Sequence, residues 1–498
     1  MSVQEAALPR QTSFLSTRRG KLTLVLLCAV AFMDFVDASI VNIALPSIQH
    51  SLHFSVQGLQ WVLSGYLLTY GGFMLLGGRA ADLLGRRRVL VAGVLVIGCS
   101  SLVGGLATSA GMLVGARLAQ GVGAAMTLPA ALSILTTSFK EGKDRHTAIG
   151  VWGAVGGLAS AVGVLLGGLL TQGLGWRWVM LVNPIACILV LGPIFRLIGG
   201  ERVRALKRNF DVLGAVLATA GTMLLVYALV RAPSVGWSSS RTIGELVGAG
   251  VVLALFVANE LHHRDPLVPL SIFRINGLGF ANVTQLTAIA GFFGLFFFLT
   301  LYMQDVLGYS PIKAGLAYLP LCGVIAVSAG ISSQLISRVG TRPLMVVGAV
   351  IAAGGLFWLS HLSVHASYLT DVLPGMLVLS AGFGPVFVGT ATAANAGVPP
   401  DKAGLAAALL NASQQIGAAL GLAIFTAVAA ARTQHLLAVH TPRAQALTSG
   451  FHVPLLLGSI FILAAAIVAL RATNTRGETT PLEMKIAQVP THTELTEP

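Results

Sequence analysis

The chain is a succession of apolar runs, each about as long as a helix must be to cross a bilayer, joined by short segments that hold most of its charge. A helix spanning ~30 Å of hydrocarbon needs about 20 predominantly apolar residues. That length predicts fourteen spans, at 22–46, 59–81, 88–107, 112–137, 145–172, 176–199, 211–232, 242–261, 277–303, 313–337, 341–361, 369–395, 403–431 and 452–471. Glu245 and Glu260 near its ends make the eighth the weakest. The runs lack the period of two that marks a lipid-facing strand, so an all-α membrane bundle is expected rather than a barrel.

Only 10% of the 498 residues are charged, and mean hydropathy is +0.83. A soluble domain carries about 25% charged residues, so soluble folds are excluded, and the net charge of +13 need not signal nucleic acid. Its placement is more informative than its size. With the N-terminus in the cytoplasm, Arg79, Arg86 to Arg88, Lys140 to Arg145, Arg196 to Arg208 and both tails (1–21 and 472–498) fall on the cytoplasmic side. Only Arg177, Arg231, Arg241, Lys313, Arg432 and Arg443 fall outside, and Arg117 lies within span 4. This is the positive-inside pattern of an inner, cytoplasmic membrane protein with both termini inside. Cys28, Cys99, Cys187 and Cys322 sit in apolar runs with no CxxC spacing, so they read as small buried hydrophobes, and neither a disulfide nor a metal is expected.

The chain also repeats itself. Gly78 to Arg87 after span 2 has a worn copy, Ser333 to Arg342, after span 10, at an offset of 255 residues. Gly121 and Gly123 in span 4 answer Gly382 and Gly384 in span 12, and Gly163 and Gly167 in span 5 answer Gly417 and Gly421 in span 13. Two related six-helix units are expected at 22–199 and 277–471, with two extra spans inserted in a linker at 200–276. Paired repeats around a midplane site are the architecture of secondary transporters.

Gly78 to Arg88 resembles the loop 2–3 signature of the major facilitator superfamily, and Leu113, Arg117, Gln120, Gly121, Gly123, Ala124 and Ala125 resemble its span 4 signature. Asp37 to Pro46 resembles the span 1 signature of its fourteen-helix drug:proton antiporters, the EmrB/QacA-type subfamily. The resemblance takes in Trp176-Arg177-Trp178, Asn183-Pro184 and the two extra helices. It implies a proton-coupled exporter of lipophilic or cationic drugs working by alternating access; an importer or symporter of a metabolite is the alternative. The implied partners are a small-molecule substrate, protons and the lipid bilayer, with no cofactor, no nucleic acid and no protein partner specified. Walker A, GxGxxG, HExxH and GxSxG sequences are not found, so no enzyme chemistry is expected.

Three charges stand where lipid penalises them. Asp34 and Asp37 share a face of span 1 at i,i+3, about 18 and 22 Å from its start at 1.5 Å per residue. An ionised carboxylate there costs ~2.5–3.5 kcal/mol even on lenient scales. Burial and mutual repulsion favour the protonated form of at least one of them, as a proton carrier requires. Arg117 lies roughly 7.5 Å into its span from the other side. Unable to deprotonate, it is expected to bias Asp37 towards the ionised form.

Gly78, Asp82, Gly85, Arg86 and Arg87 form a charged turn that, in the family the residues resemble, latches one conformational state; Gly78 and Gly85 are expected to permit close approach and a tight turn. Gly163, Gly167 and Gly168 offer a stripe for helix packing. Asn42, Gln120, Gln285, Asn411 and Gln415 are candidates for the walls of a substrate cavity, with helix–helix hydrogen bonding as the plainer role.

Overall fold

The computed structural model describes residues 14–139, 143–199, 211–263, 266, 268, 270–275, 277–398 and 403–476. Small polar residues start many of the helices. Thr17 accepts from the Gly20 amide to open α1 (Arg18–Leu52), and Ser55 accepts from Gly58 to open α2 (Val56–Leu84). Gly85, at φ +96°, both ends α2 and begins α3 (Arg86–Gly105), a turn that a side chain would strain. Ser109 caps α4 (Ala110–Ser138); α5 (Lys143–Gly173) and α6 (Arg177–Leu197) complete the first unit. Asp211 caps α7 (Val212–Val235) and Ser239 caps α8 (Ser240–His262).

The second unit begins with α9 (Leu278–Leu301), which continues as a widened turn through Tyr302–Val306. The tenth crossing is two helices, α10 (Pro311–Ala317) and α11 (Leu319–Val339), interrupted at the buried Tyr318 before Pro320. Gly340, at φ +88°, repeats the Gly85 turn 255 residues on and begins α12 (Thr341–Leu359). A widened turn at Tyr368–Val372 leads into α13 (Leu373–Asn395), followed by α14 (Ala403–Ala438) and α15 (Arg443–Ala469). Among the described residues thirteen helical segments of 18 residues or more are apolar enough to span a membrane, and α7 carries a shorter apolar stretch, Leu213–Leu229, where the remaining span is expected.

The expected spans match these helices closely, with differences at the ends: α15 begins at Arg443, nine residues before the expected span, and α1 also starts early. Helix α1 begins at Arg18, four residues before the expected span and inside the segment 1–21 read as a tail; residues 1–13 lie outside the described residues. The basic stretch 200–210, Lys140, Lys402 and the C-terminal residues from 477 also lie outside them. Glu245 and Glu260 do not weaken α8. The former pairs with Arg241 one turn away (3.1 Å), and the latter is buried at the helix end, where it accepts from the Val268 amide (2.9 Å). Of the cysteines, Cys28 and Cys187 are buried, Cys322 is half-buried and Cys99 is exposed on the outside of α3, so the buried reading does not extend to Cys99.

Packing repeats along with the sequence. In the first unit α1 lies against α5 and α6, α4 against α2 and α3, and α3 against α6; in the second, α9 lies against α14 and α15, α13 against α11 and α12, and α12 against α15. Glycines make the equivalent approaches. A Cβ on Gly167 would come within 2.5 Å of Ile40 O of α1, and one on Gly421 would overlap Ala290 O of α9. In span 4 the register differs from the expected one: Gly123 meets Gly93 and Ile97 of α3 as Gly382 meets Gly348 and Ala352 of α12, so Gly382 answers Gly123 rather than Gly121. Residues i and i+2 lie about 200° apart on a helix, and sequence spacing alone does not settle which glycine faces which neighbour.

The units meet through α2 with α14 and α5 with α10, each the symmetry mate of the other. Helices α7 and α8 pack on each other, and α7 lies across the α2–α14 seam, with Thr219 donating to Gly72 O (2.9 Å). Among the described residues, the hydrogen bonds between the units gather at the end of the bundle that holds Leu52 and Ser310. Gln304 donates to Ile43 O (3.0 Å), the Ile312 amide to Gln172 (3.3 Å), and Thr426 bonds Gln60. His50 and Asp305 approach to 4.0 Å there.

Candidate functional site

Helix α1 is apolar apart from a few residues, and α5 packs against it on glycine. Gly163 faces Val36 and Ser39, and Gly167 faces Ile40. That contact leaves the acidic face of α1 turned to α4 and α6. Gly168 points elsewhere: a Cβ there would lie 2.7 Å from Pro311 O, so it is a contact between the two units.

Asp37 is 2% exposed and accepts hydrogen bonds at both oxygens. Arg117 Nη1 donates to Oδ2 at 2.7 Å; Gln120 Nε2 (3.3 Å) and Asn183 Nδ2 both donate to Oδ1. Arg117 is fully buried. Its Nε donates to Val62 O (2.9 Å), its Nη1 also reaches Gln120 Oε1 (2.9 Å), and its guanidinium lies 4.3 Å from the Tyr66 ring centre. Gln120 also donates to Ser101 Oγ. Four helices thus close around one carboxylate. Breaking such a pair by removing one partner costs about 3–5 kcal/mol, because the other charge is left buried.

Asp34, one turn earlier and 4% exposed, is held differently. Thr127 Oγ1 donates to Oδ2 at 2.6 Å, and Oδ1 has no hydrogen-bond partner among the described residues. Arg117 Nη2 likewise has none. Asp37 and Arg117 cancel each other, so an ionised Asp34 has no countercharge of its own in this cluster.

The sequence singled out Asp34, Asp37 and Arg117, and the structure brings them together. It also adds Asn183, Thr127, Ser101 and Tyr66. A neutral amide or hydroxyl in an apolar helix is common, and nothing in its spacing says that it faces a carboxylate; Asn183-Pro184 was visible only as part of a family motif.

Among the described residues no hydrogen bond links any two of the five cavity candidates, and each has its own partner or neighbour. Gln120 belongs to the Asp37 cluster. Asn42 and Asn411 donate to carbonyls of their own helices, Ala38 O (3.2 Å) and Ala407 O (3.0 Å). Gln285 accepts from Thr390 of α13, and the Gln415 Cβ would meet a side chain on Gly71 of α2 at 3.0 Å. The Gln285–Thr390 pair is a polar contact between α9 and α13, as Asp34–Thr127 is between α1 and α4, and it holds no ionisable group.

At the charged turn, Arg86 donates to Thr137 of α4 (2.9 Å), and Arg87 donates to Ile198 O (3.2 Å) while lying over the Phe195 ring of α6. The side chain of Asp82 lies outside the described residues. The close approach expected of Gly78 belongs to Gly77. A Cβ on Gly77 would overlap Ala125 O of α4, whereas one on Gly78 would make ordinary contact with Pro129 at 3.7 Å.

A bundle of membrane-length helices in two related units, with buried charges on the first helix of one of them, defines a membrane transporter. Residues 27–422 match the family model described as Major Facilitator Superfamily, and the chain belongs to that superfamily. It is 41% identical over 423 residues to the puromycin resistance protein pur8 of Streptomyces alboniger, covering 84% of this chain and 83% of that one. It is 40% identical to the cephamycin export protein CmcT of Amycolatopsis lactamdurans, covering 87% and 89%. To the multidrug resistance protein Stp of Mycobacterium tuberculosis (strain H37Rv) it is 34% identical, covering 86% and 79%. Among solved structures it shares its fold with a bacterial homolog of the human lysosomal transporter Spinster in an inward-facing, unoccupied conformation, with a TM-score of 0.67 at 18% identity, covering 91% of this chain and 97% of that one.

Proposed function

We propose that the protein exports lipophilic or cationic toxic compounds across the cytoplasmic membrane, driven by proton entry and working by alternating access. The relatives named for resistance to or export of puromycin and cephamycin support the direction and the substrate class. The observation that carries the coupling is the difference between the two aspartates. Asp37 is locked by Arg117, Gln120 and Asn183, whereas Asp34 has an oxygen open to a proton. In this reading Asp37 with Arg117 is a fixed pair that organises the site, and Asp34 carries the proton. Loading it neutralises the cluster; releasing it leaves one uncompensated negative charge that attracts a cationic substrate or the next proton.

One proton is sufficient on magnitude. Each charge moved is worth ~2.3 kcal/mol per 100 mV and each pH unit ~1.4 kcal/mol, so one proton entering down 100 mV sustains roughly a fifty-fold gradient of a neutral solute.

Both termini lie in the cytoplasm in this account, as the basic loops demand. The end closed by the Gln60–Thr426 and Gln304–Ile43 bonds is then external, and the arrangement is inward-facing. The moving bodies are the units 22–199 and 277–471, with 200–276 inserted between them. The Gly85 turn, with Arg86 on Thr137 and Arg87 on Phe195, supports a latch at the cytoplasmic end. A susceptibility screen of cells with and without the protein tests the reading: a raised inhibitory concentration for lipophilic compounds, abolished by a protonophore or by Asp34→Asn, is expected. Unchanged susceptibility across such a panel, or resistance indifferent to both, would overturn it.

A further inference from the structure

Helices α4 and α7 both lie against α2, but between them they leave a cleft of about 760 Å³ that opens on the outside of the bundle. At its deep end it is apolar, walled by Leu68, Val114, Leu118, Met223 and Leu224. At its shallow end it is polar and aromatic. His53 and Ser55 stand at the rim, and the rings of Trp61 and Tyr227 lie 6.0 Å apart. Arg231, one turn beyond Tyr227, holds its guanidinium against the Tyr227 hydroxyl and ring. Gly111 of α4 borders the cleft on open space, where a Cβ would meet nothing within 4 Å.

From Ser55 to Leu68 the floor of the cleft runs about 20 Å along α2 at 1.5 Å per residue. One leaflet of hydrocarbon is about 15 Å deep, and Trp and Tyr prefer the level where chain meets headgroup. The polarity gradient therefore matches one leaflet in length and in order: acyl depth, aromatic belt, cation.

From this match we infer that the cleft is a binding site for a single anionic phospholipid, with an acyl chain along Leu68, Leu118 and Leu224 and the phosphate at Arg231. The charge complementarity commits the site to an anion at the rim. A lipophilic cation suits the apolar floor equally well but is repelled by Arg231. The inserted helix α7 supplies both the second wall and the arginine, which gives the extra pair of helices a task separate from the transport path.

Photo-crosslinking of the full-length protein in nanodiscs tests the site. The probes are phosphatidylglycerol and phosphatidylcholine carrying the same diazirine acyl chain, each diluted in unlabelled phosphatidylcholine. Peptides covering 53–68, 110–118 and 223–231 should label in excess with phosphatidylglycerol by roughly fivefold, which is the ~1 kcal/mol that one basic residue supplies near an anionic surface. Arg231→Gln should reduce that excess to parity and leave phosphatidylcholine labelling unchanged; Gly111→Trp, which fills the cleft from its open wall, should reduce labelling by both probes. Equal labelling by the two lipids in the wild type, or an excess untouched by Arg231→Gln, would overturn the inference. So would displacement of the probe by tetraphenylphosphonium but not by unlabelled phosphatidylglycerol, which would make the cleft a substrate portal instead.

Discussion

Removing the charge of Asp37 should harm the protein in a way that removing Arg117 does not, because the two partners have different means of escape. In Asp37→Asn the Arg117 guanidinium stays fully buried and cannot shed its proton. The new amide also turns an NH2 group towards a pocket of donors, where Arg117, Gln120 and Asn183 all point at the present carboxylate. An uncompensated buried charge of this kind costs about 3–5 kcal/mol. In Arg117→Met the carboxylate of Asp37 can take up a proton and keep its bonds to Gln120 and Asn183, so the loss should be about half as large. The double variant Asp37→Asn/Arg117→Met buries no charge at this position and should recover at least ~2 kcal/mol relative to the sum of the single losses. Thermal unfolding of detergent-purified protein, followed by size-exclusion recovery after heating, ranks the variants. At ~2–4 °C per kcal/mol for 150–250 residues, and less for this longer chain, Asp37→Asn should fall by about 5 °C, with the double variant between it and the wild type. Additive losses, or an Asp37→Asn midpoint equal to the wild type, would refute the view that Asp37 and Arg117 form a fixed structural pair.

Other expectations follow from the same geometry. Asn183→Leu removes one donor to Asp37 Oδ1 and should cost about 1.5–3 kcal/mol, as for a hydrogen bond to a charged group, read as a lowered thermal midpoint that Asn183→Gln partly restores. Gly77→Ala should abolish membrane expression while Gly78→Ala leaves it near normal, because only the former drives a Cβ into the α4 backbone; equal behaviour of the two would refute the placement of α2 on α4. Gly167→Leu should fail to accumulate, since α5 then cannot approach Ile40 of α1. Cysteines placed at Gln60 and Thr426 in a variant without Cys28, Cys99, Cys187 and Cys322 should crosslink readily without an imposed gradient and more slowly once substrate and a pH gradient drive turnover; a yield indifferent to turnover would mean that this end of the bundle does not open.

Much of this architecture is legible in the sequence because lipid narrows the choices. Fourteen apolar runs, a repeated turn at Gly85 and Gly340, and glycines that recur at the α1–α5 and α9–α14 contacts leave few arrangements open. The charged part of the site is legible for the same reason: Asp34, Asp37 and Arg117 are conspicuous where hydrocarbon excludes charge. What sequence cannot supply is rotation. Whether Gly77 or Gly78 faces α4 depends on about 100° of helix phase, and whether Gly121 or Gly123 faces α3 on about 200°, and an all-apolar surface reveals neither. The neutral partners are hidden too, since Thr127 and Asn183 look like any other polar residue in a membrane helix until α4 and α6 are folded onto α1. The two aspartates are told apart only once those partners are in place. Asp37, which carries the span 1 signature, is the one fully occupied by donors, and Asp34, outside the signature, is the one left open.

The central claim is that Asp34 carries the transported proton. It is tested most directly in liposomes holding the purified protein and a pH-sensitive dye, with a substrate from the susceptibility screen added and no gradient imposed. The wild type should move protons opposite to the substrate. Asp34→Asn should keep exchange of substrate for substrate while losing both proton movement and gradient-driven accumulation. Undiminished proton movement in Asp34→Asn, with its loss in a folded Asp37 variant instead, would contradict the account.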